Sequence, residues 1–257
     1  MAQMDYRYAR PGAATGVAVD EGLRSYMLGV YNYMAGGLAV TGIAALALIA
    51  MVTTNDASLA AAKLRNGMML TELGKTLYLS PVRYVLMLAP LAFVFFLSFR
   101  VYKMSVSGAQ MAFWLFAAVM GLSLSTIFLV FTGQSIVKVF FITAAAFAGL
   151  SLYGYTTKKD LSGWGSFLIM GVIGIIIAAL VNLFLQSSAL QFAISVIGVL
   201  VFAGLTAYDT QQIKDGYIEM RGNAEALAKG AIMGALSLYL DFINMFTSLL
   251  YLFGDRE

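Results

Sequence analysis

Seven uninterrupted apolar stretches, near residues 27–53, 82–101, 108–131, 135–156, 163–186, 189–213 and 228–253, occupy most of this 257-residue sequence. About 20 helical residues, at a rise of 1.5 Å each, cross a hydrocarbon core of ~30 Å, so each stretch is long enough to span a bilayer. Runs this long and continuous, with no apolar–polar alternation, read as helices and not as strands. Only 11% of the residues are charged, where a soluble domain carries about a quarter. The expected fold is therefore an all-α polytopic membrane protein, a single membrane domain over residues 24–254. Residues 1–23 read as a polar tail, without the short apolar core and cleavage site of a signal peptide. The longest connection, 54–81, has room for a short interfacial helix but not for a soluble domain.

Composition narrows the chemistry. With no cysteine there is no disulfide, thiolate metal site or cysteine nucleophile. With no histidine there is no imidazole metal ligand, no Ser-His-Asp hydrolysis and none of the usual imidazole response to physiological pH. The net charge of +3 is small and scattered, which argues against nucleic acid. No enzymatic constellation emerges, and any proton or ion chemistry rests on carboxylates. Lysine and arginine set the expected orientation. Arg7, Arg10, Arg24, Arg100, Lys103, Lys158, Lys159, Lys214, Arg221 and Lys229 share one side, and Lys63, Arg65, Lys75, Arg83, Lys138 and Arg256 the other. Ten against six places the N-terminus in the cytoplasm and Glu257 outside.

The seventh stretch is the least lipid-like. Ser237, Asp241, Asn244 and Ser248 recur at i, i+4, i+7 and i+11, one polar stripe down one helix face. An aspartate at depth costs at least ~2.5–3.5 kcal/mol on insertion scales, so the stripe should face protein or a cavity. Gly230 and Gly234 suit close helix contact. The sixth stretch ends in GLTAYDTQQIKDGYIEM, with Asp209 just inside it and Asp215 beyond. If that helix stops at Ile213, Asp209 lies only ~6 Å deep against ~15 Å for Asp241; the two meet only if the helix runs past Ile218. Asn182 and Gln186 suit interhelical hydrogen bonds. The hydroxyls of Ser123, Ser125 and Thr126 suit bonds to the preceding turn. Trp114 and Trp164 suit interface anchors.

AYDTQQIK followed by LSLYLDFINMFTSLLYLFG resembles the last two helices of the Bax inhibitor-1 (transmembrane Bax inhibitor motif) family. GLRSYMLGVYNYMAGGLAVTG resembles its bacterial branch, and the likeness extends over about residues 20–254. The resemblance implies seven helices with the seventh enclosed by the other six, and a pH-sensitive calcium leak across the membrane. It also implies that two aspartates on the last two helices, here Asp209 and Asp241, share a proton and control opening. A basic residue late in the second helix is implied as partner of the sixth-helix aspartate. PVRYVLMLAPLAFVFFLSFR is uncharged between Arg83 and Arg100, so Arg100 or Lys103 would take that part, and spacing does not choose between them. The family's acidic residue earlier in that helix is replaced here by APLA.

The residues suit such a device. Two carboxyls within hydrogen-bond reach do not both ionise cheaply and titrate as a unit. Calcium takes six to eight oxygens, and Asp209, Asp241, Ser237 and Asn244 with carbonyls and water would form a weak, transient site. Two competitors are a proton-coupled transporter and a scaffold acting through membrane-protein partners. The first expects broken helices in paired halves, for which the first five stretches offer no carboxylate-rich counterpart. No N-x-S/T sequon occurs and no lysine-rich retention signal follows Phe253, which with the likeness favours a bacterial inner membrane.

Overall fold

A computed structural model describes residues 11–64 and 66–256; Arg7, Arg10, Arg65 and Glu257 of the charge count lie outside them. The helices are α1 (Pro11–Val52), α2 (Glu72–Leu79), α3 (Val82–Arg100), α4 (Val106–Leu124), α5 (Gly133–Thr156), α6 (Ser162–Leu185), α7 (Ser188–Met220) and α8 (Ala224–Phe253). All but α2 are long and apolar enough to cross a membrane. The helix starts follow local chemistry: the side chains of Thr71, Ser105, Thr132, Ser187 and Asn223 each accept a backbone N–H from the first turn of α2, α4, α5, α7 and α8. Two differences from the sequence reading concern helix ends. α1 begins at Pro11, so residues 11–23 are helical and continue into the first span. α7 runs to Met220, because buried Tyr217 continues the inward face of Ile213 beyond the apolar stretch.

α8 is the centre of the bundle. More than half of its apolar window is buried, 56%, against 6% for α6, although its mean hydropathy of 1.4 is the lowest of the seven and that of α6, 2.8, the highest. It packs directly on α1, α4, α5 and α7. α3 and α6 face it across a cavity. The tightest crossings use glycine: a Cβ on Gly121 would lie 2.3 Å from the Thr41 carbonyl oxygen, and one on Gly154 2.2 Å from that of Ala207. Tyr239 on α8 is fully buried, edge-on to Phe116 at 5.7 Å. Its hydroxyl lies 2.6 Å from Thr41 Oγ1, which is itself 2.9 Å from the carbonyls of Gly37 and Ala117. One side-chain cluster thus ties α1, α4 and α8 together.

The 54–81 connection is more structured than its sequence suggests. It holds the expected short helix, α2, and a small antiparallel sheet of β1 (Thr53–Thr54), β2 (Ala62–Lys63) and β3 (Met69–Leu70), with β3 in the middle. Leu48, Val52, Leu70 and Tyr78 give it a separate small core. Tyr78 bonds Ser125 at 2.7 Å, and burial raises its phenol above the ordinary range against the opposing effect of that bond. Asp56 accepts from the N–H and hydroxyl of Ser58 at 2.8 and 2.7 Å, which holds its carboxyl below the usual range. At the same end of the bundle the chain's last residues are stitched to the α4–α5 turn. Asp255 N–H donates to Ser135 Oγ at 2.9 Å, Thr132 N–H donates to the Asp255 carbonyl at 3.0 Å, and Arg256 sits over the Phe131 ring.

Candidate functional site

A cavity of about 450 Å³ lies beside α8, and both aspartates line it. α8 contributes Ser237, Asp241 and Asn244, α7 contributes Asp209, and α4 contributes Ser123. The opposite wall is apolar, with Pro90 and Val94 of α3 and Val172 and Ile175 of α6. Among the described residues no other titratable side chain lines it. Pro90 has no N–H to give the carbonyl four residues back, so α3 lacks one ladder bond where it faces the cavity.

The α7–α8 packing fixes how the carboxyls stand. The space of a Cβ on Gly234 is 3.0 Å from Ile213, and that on Gly198 is 2.5 Å from Ser248 Oγ. In this antiparallel register Ser237 is level with Asp209, and Asp241 with Leu205. The two residues are thus offset by about one helical turn, ~5–6 Å along the axes, and their side chains line the same cavity. The extension of α7 to Met220 supplies the depth that a helix ending at Ile213 would not. Asp241 is buried at 4% exposure and its Oδ2 has no hydrogen-bond partner. Asp209 is half-buried. Asn244 donates its amide to the Leu240 carbonyl at 2.8 Å.

Other anticipated residues fall elsewhere. Ser248, the fourth member of the stripe, packs against Gly198 and is not part of the cavity lining. Asp215 is exposed. Arg100 and Lys103 are exposed at the end of α3 and in the single 3-10 turn after it, and neither lines the cavity. Arg100 is six residues beyond Val94, ~9 Å along the helix. The structure therefore brings together the two aspartates and their polar neighbours but leaves both cations apart from them. Asn182 does bond across helices, to Gln191 at 3.3 Å, whereas Gln186 is exposed and adopts a left-handed backbone (φ 49°) at the end of α6. Ser125 and Thr126 return their hydroxyls to Leu122 and Ser123 as expected. Trp164 is exposed, and Trp114 packs against α1 beside Gly36 and Tyr33. The apolar lining was beyond sequence reasoning, since Met87, Pro90 and Val172 look like any lipid-facing or core residue until the helices are placed.

Among the described residues no three of Asp, Glu, His and Cys cluster as a metal site. The cavity offers two carboxyls, one amide and two hydroxyls, from Asp209, Asp241, Asn244, Ser237 and Ser123. That is a sparse oxygen set, suited to weak and reversible contact with a hard cation and not to tight chelation.

Comparison with known proteins agrees with the architecture. The profile of the family described as "Inhibitor of apoptosis-promoting Bax1" matches residues 23–257. The chain is 44% identical over 252 residues to an uncharacterized protein of Caulobacter vibrioides, covering 97% of each. It is 44% identical over 254 residues to protein RP147 of Rickettsia prowazekii, covering 99% of each. It is also 44% identical over 243 residues to the inner membrane protein YbhL of Escherichia coli, covering 92% of this chain and 94% of YbhL. The chain belongs to the Bax inhibitor-1 family of membrane proteins.

Proposed function

We propose that this chain lets cations, calcium among them, cross the membrane passively under the control of a proton shared by Asp209 and Asp241. The observation that carries this reading is the meeting of the two carboxyls in one otherwise uncharged cavity, next to the buried unpaired oxygen of Asp241. With one proton between them, the pair can hold α7 to α8. Without it, two like charges in an apolar wall repel each other and attract a cation. The sparse donor set favours transit over retention, because conduction needs a site weak enough to leave. Permeation then rises as pH rises and the shared proton is lost. A bacterial inner membrane, with the N-terminus in the cytoplasm, is the proposed setting; the name of the relative YbhL and the ten-to-six charge count support it.

The test is calcium-indicator flux in proteoliposomes of the purified chain between pH 6 and pH 8, against protein-free vesicles. Flux that increases with pH supports the proposal. Flux that does not respond to pH rejects the shared proton. Absence of flux at every pH rejects permeation and moves the partner-binding scaffold ahead.

A further inference from the structure

A second cavity, of about 590 Å³, lies between α1 and α5 near the end of the bundle that carries the α7–α8 turn. Its lips, Leu28 and Leu152, are 50% and 62% exposed, so it opens sideways toward the surrounding lipid. Its back wall is Met27 and Phe147, both buried. Polar groups in its floor are already satisfied. Tyr31 hydroxyl lies 2.6 Å from Ser151 Oγ, Ser151 lies 2.9 Å from Thr210 Oγ1, and Thr210 donates to the Thr206 carbonyl at 2.7 Å. Since Thr210 spends its proton on that carbonyl, Ser151 donates to Thr210 and Tyr31 to Ser151. The relay ends on backbone and leaves no donor facing the groove. An occupant therefore meets hydrocarbon below.

The mouth is different. Arg24 stands exposed at one corner, and among residues 21–64 and 66–256 no carboxylate is within ion-pair distance of its guanidinium. Tyr155 stands at the other corner, with Lys214 Nζ donating to its carbonyl at 3.0 Å and lying 5.9 Å from its ring. From Arg24 to Tyr31 and from Tyr155 to Phe147 the groove descends ~10–12 Å along the two helices. Positive charge at headgroup level above a dry slot of that depth matches a lipid with a negative head and an apolar tail. We propose that this groove binds a phospholipid of net-negative headgroup, one acyl chain lying between α1 and α5 and the phosphate held by Arg24. Phosphate is recognised here as the head of a lipid, because the slot below it has nothing to offer a free anion.

The experiment is native mass spectrometry of the full-length chain in detergent, given an equimolar mixture of phosphatidylglycerol and phosphatidylcholine. The wild type should retain phosphatidylglycerol preferentially. Arg24→Gln should lower that preference about fivefold, the factor expected for one basic side chain at an anionic surface. Ala148→Phe, which fills the groove from an exposed position, should reduce retention of both lipids, and Arg83→Gln at the other end of the bundle should change neither. Added inorganic phosphate at millimolar concentration should leave the retained lipid in place. Equal retention of the two lipids by the wild type, an unchanged preference in Arg24→Gln, or displacement by inorganic phosphate would each overturn the assignment.

Discussion

Replacing Asp241 by leucine separates a residue kept for function from one kept to hold the bundle together. Asp241 is buried, and its Oδ2 has no partner. A buried polar atom left unpaired costs ~1–3 kcal/mol. The adjoining cavity, about 450 Å³, leaves room for the larger side chain without overpacking. If the aspartate is maintained at the expense of the fold, Asp241→Leu should be more stable than the wild type by ~1–3 kcal/mol. At this chain length each kcal/mol moves Tm by about 2–4 °C, so a rise of several degrees is expected. The assay is helical ellipticity against temperature in detergent micelles, with calcium flux of the same preparation in vesicles. The expected result is a raised Tm together with loss of pH-dependent flux. Measured above the pH at which the shared proton is lost, a fall in Tm of several degrees would refute the reasoning, since it would mean that Asp241 adds more to the α7–α8 contact than its buried, unpaired oxygen costs.

Asp209→Asn and Asp241→Asn should each abolish the response of flux to pH, while the exposed Asp215→Asn should leave the profile in place; flux between pH 6 and pH 8 checks all three. Gly154→Ala forces a methyl to within 2.2 Å of the Ala207 carbonyl oxygen and should destabilise by ~1–3 kcal/mol, read as a lowered Tm, whereas Gly149→Ala on the same helix, with open space at its Cβ, should be neutral or slightly stabilising. Cysteines placed at Ser58 and Asn223 in this cysteine-free chain should be labelled from opposite faces of sealed vesicles, Asn223 from the cytoplasmic one, and labelling of both from the same face would contradict an odd number of crossings.

Much of this was legible because lipid imposes a blunt rule on sequence. Seven long apolar stretches became seven long helices, and the i, i+4, i+7 spacing of Ser237, Asp241 and Asn244 marked a face that the fold turns to a cavity. Ser248 obeys the same spacing yet packs on Gly198, since periodicity names a face and not what stands opposite it. The end of α7 was left open between Ile213 and a point past Ile218, because polar Gln211, Gln212 and Lys214 interrupt the apolar pattern there. Gln211 is instead buried, donating to the Lys159 carbonyl at 2.8 Å and accepting from the Leu161 N–H. The small sheet escaped detection for a different reason. Its strands are two residues long, too short for any alternation to register. Arg100 and Lys103 were reachable only through likeness, and the packing of α3 leaves them at its end.

The enclosure of the most polar span has a consequence for biogenesis. A segment with the lowest mean hydropathy of the seven, carrying an aspartate near its middle, partitions poorly into lipid by itself. α8 is also synthesised after the other six spans, and only residues 221–223 separate it from α7. It therefore enters the bilayer as the second arm of a hairpin, into a socket whose other walls, α1, α4 and α5, are already made. Until it arrives, Thr41, Gly37 and the inward face of α7 have hydrocarbon for a neighbour. A ribosome stalled before Ala224 would thus leave a chain of six inserted helices around an unfilled centre, a substrate for membrane quality control and not a partly working protein.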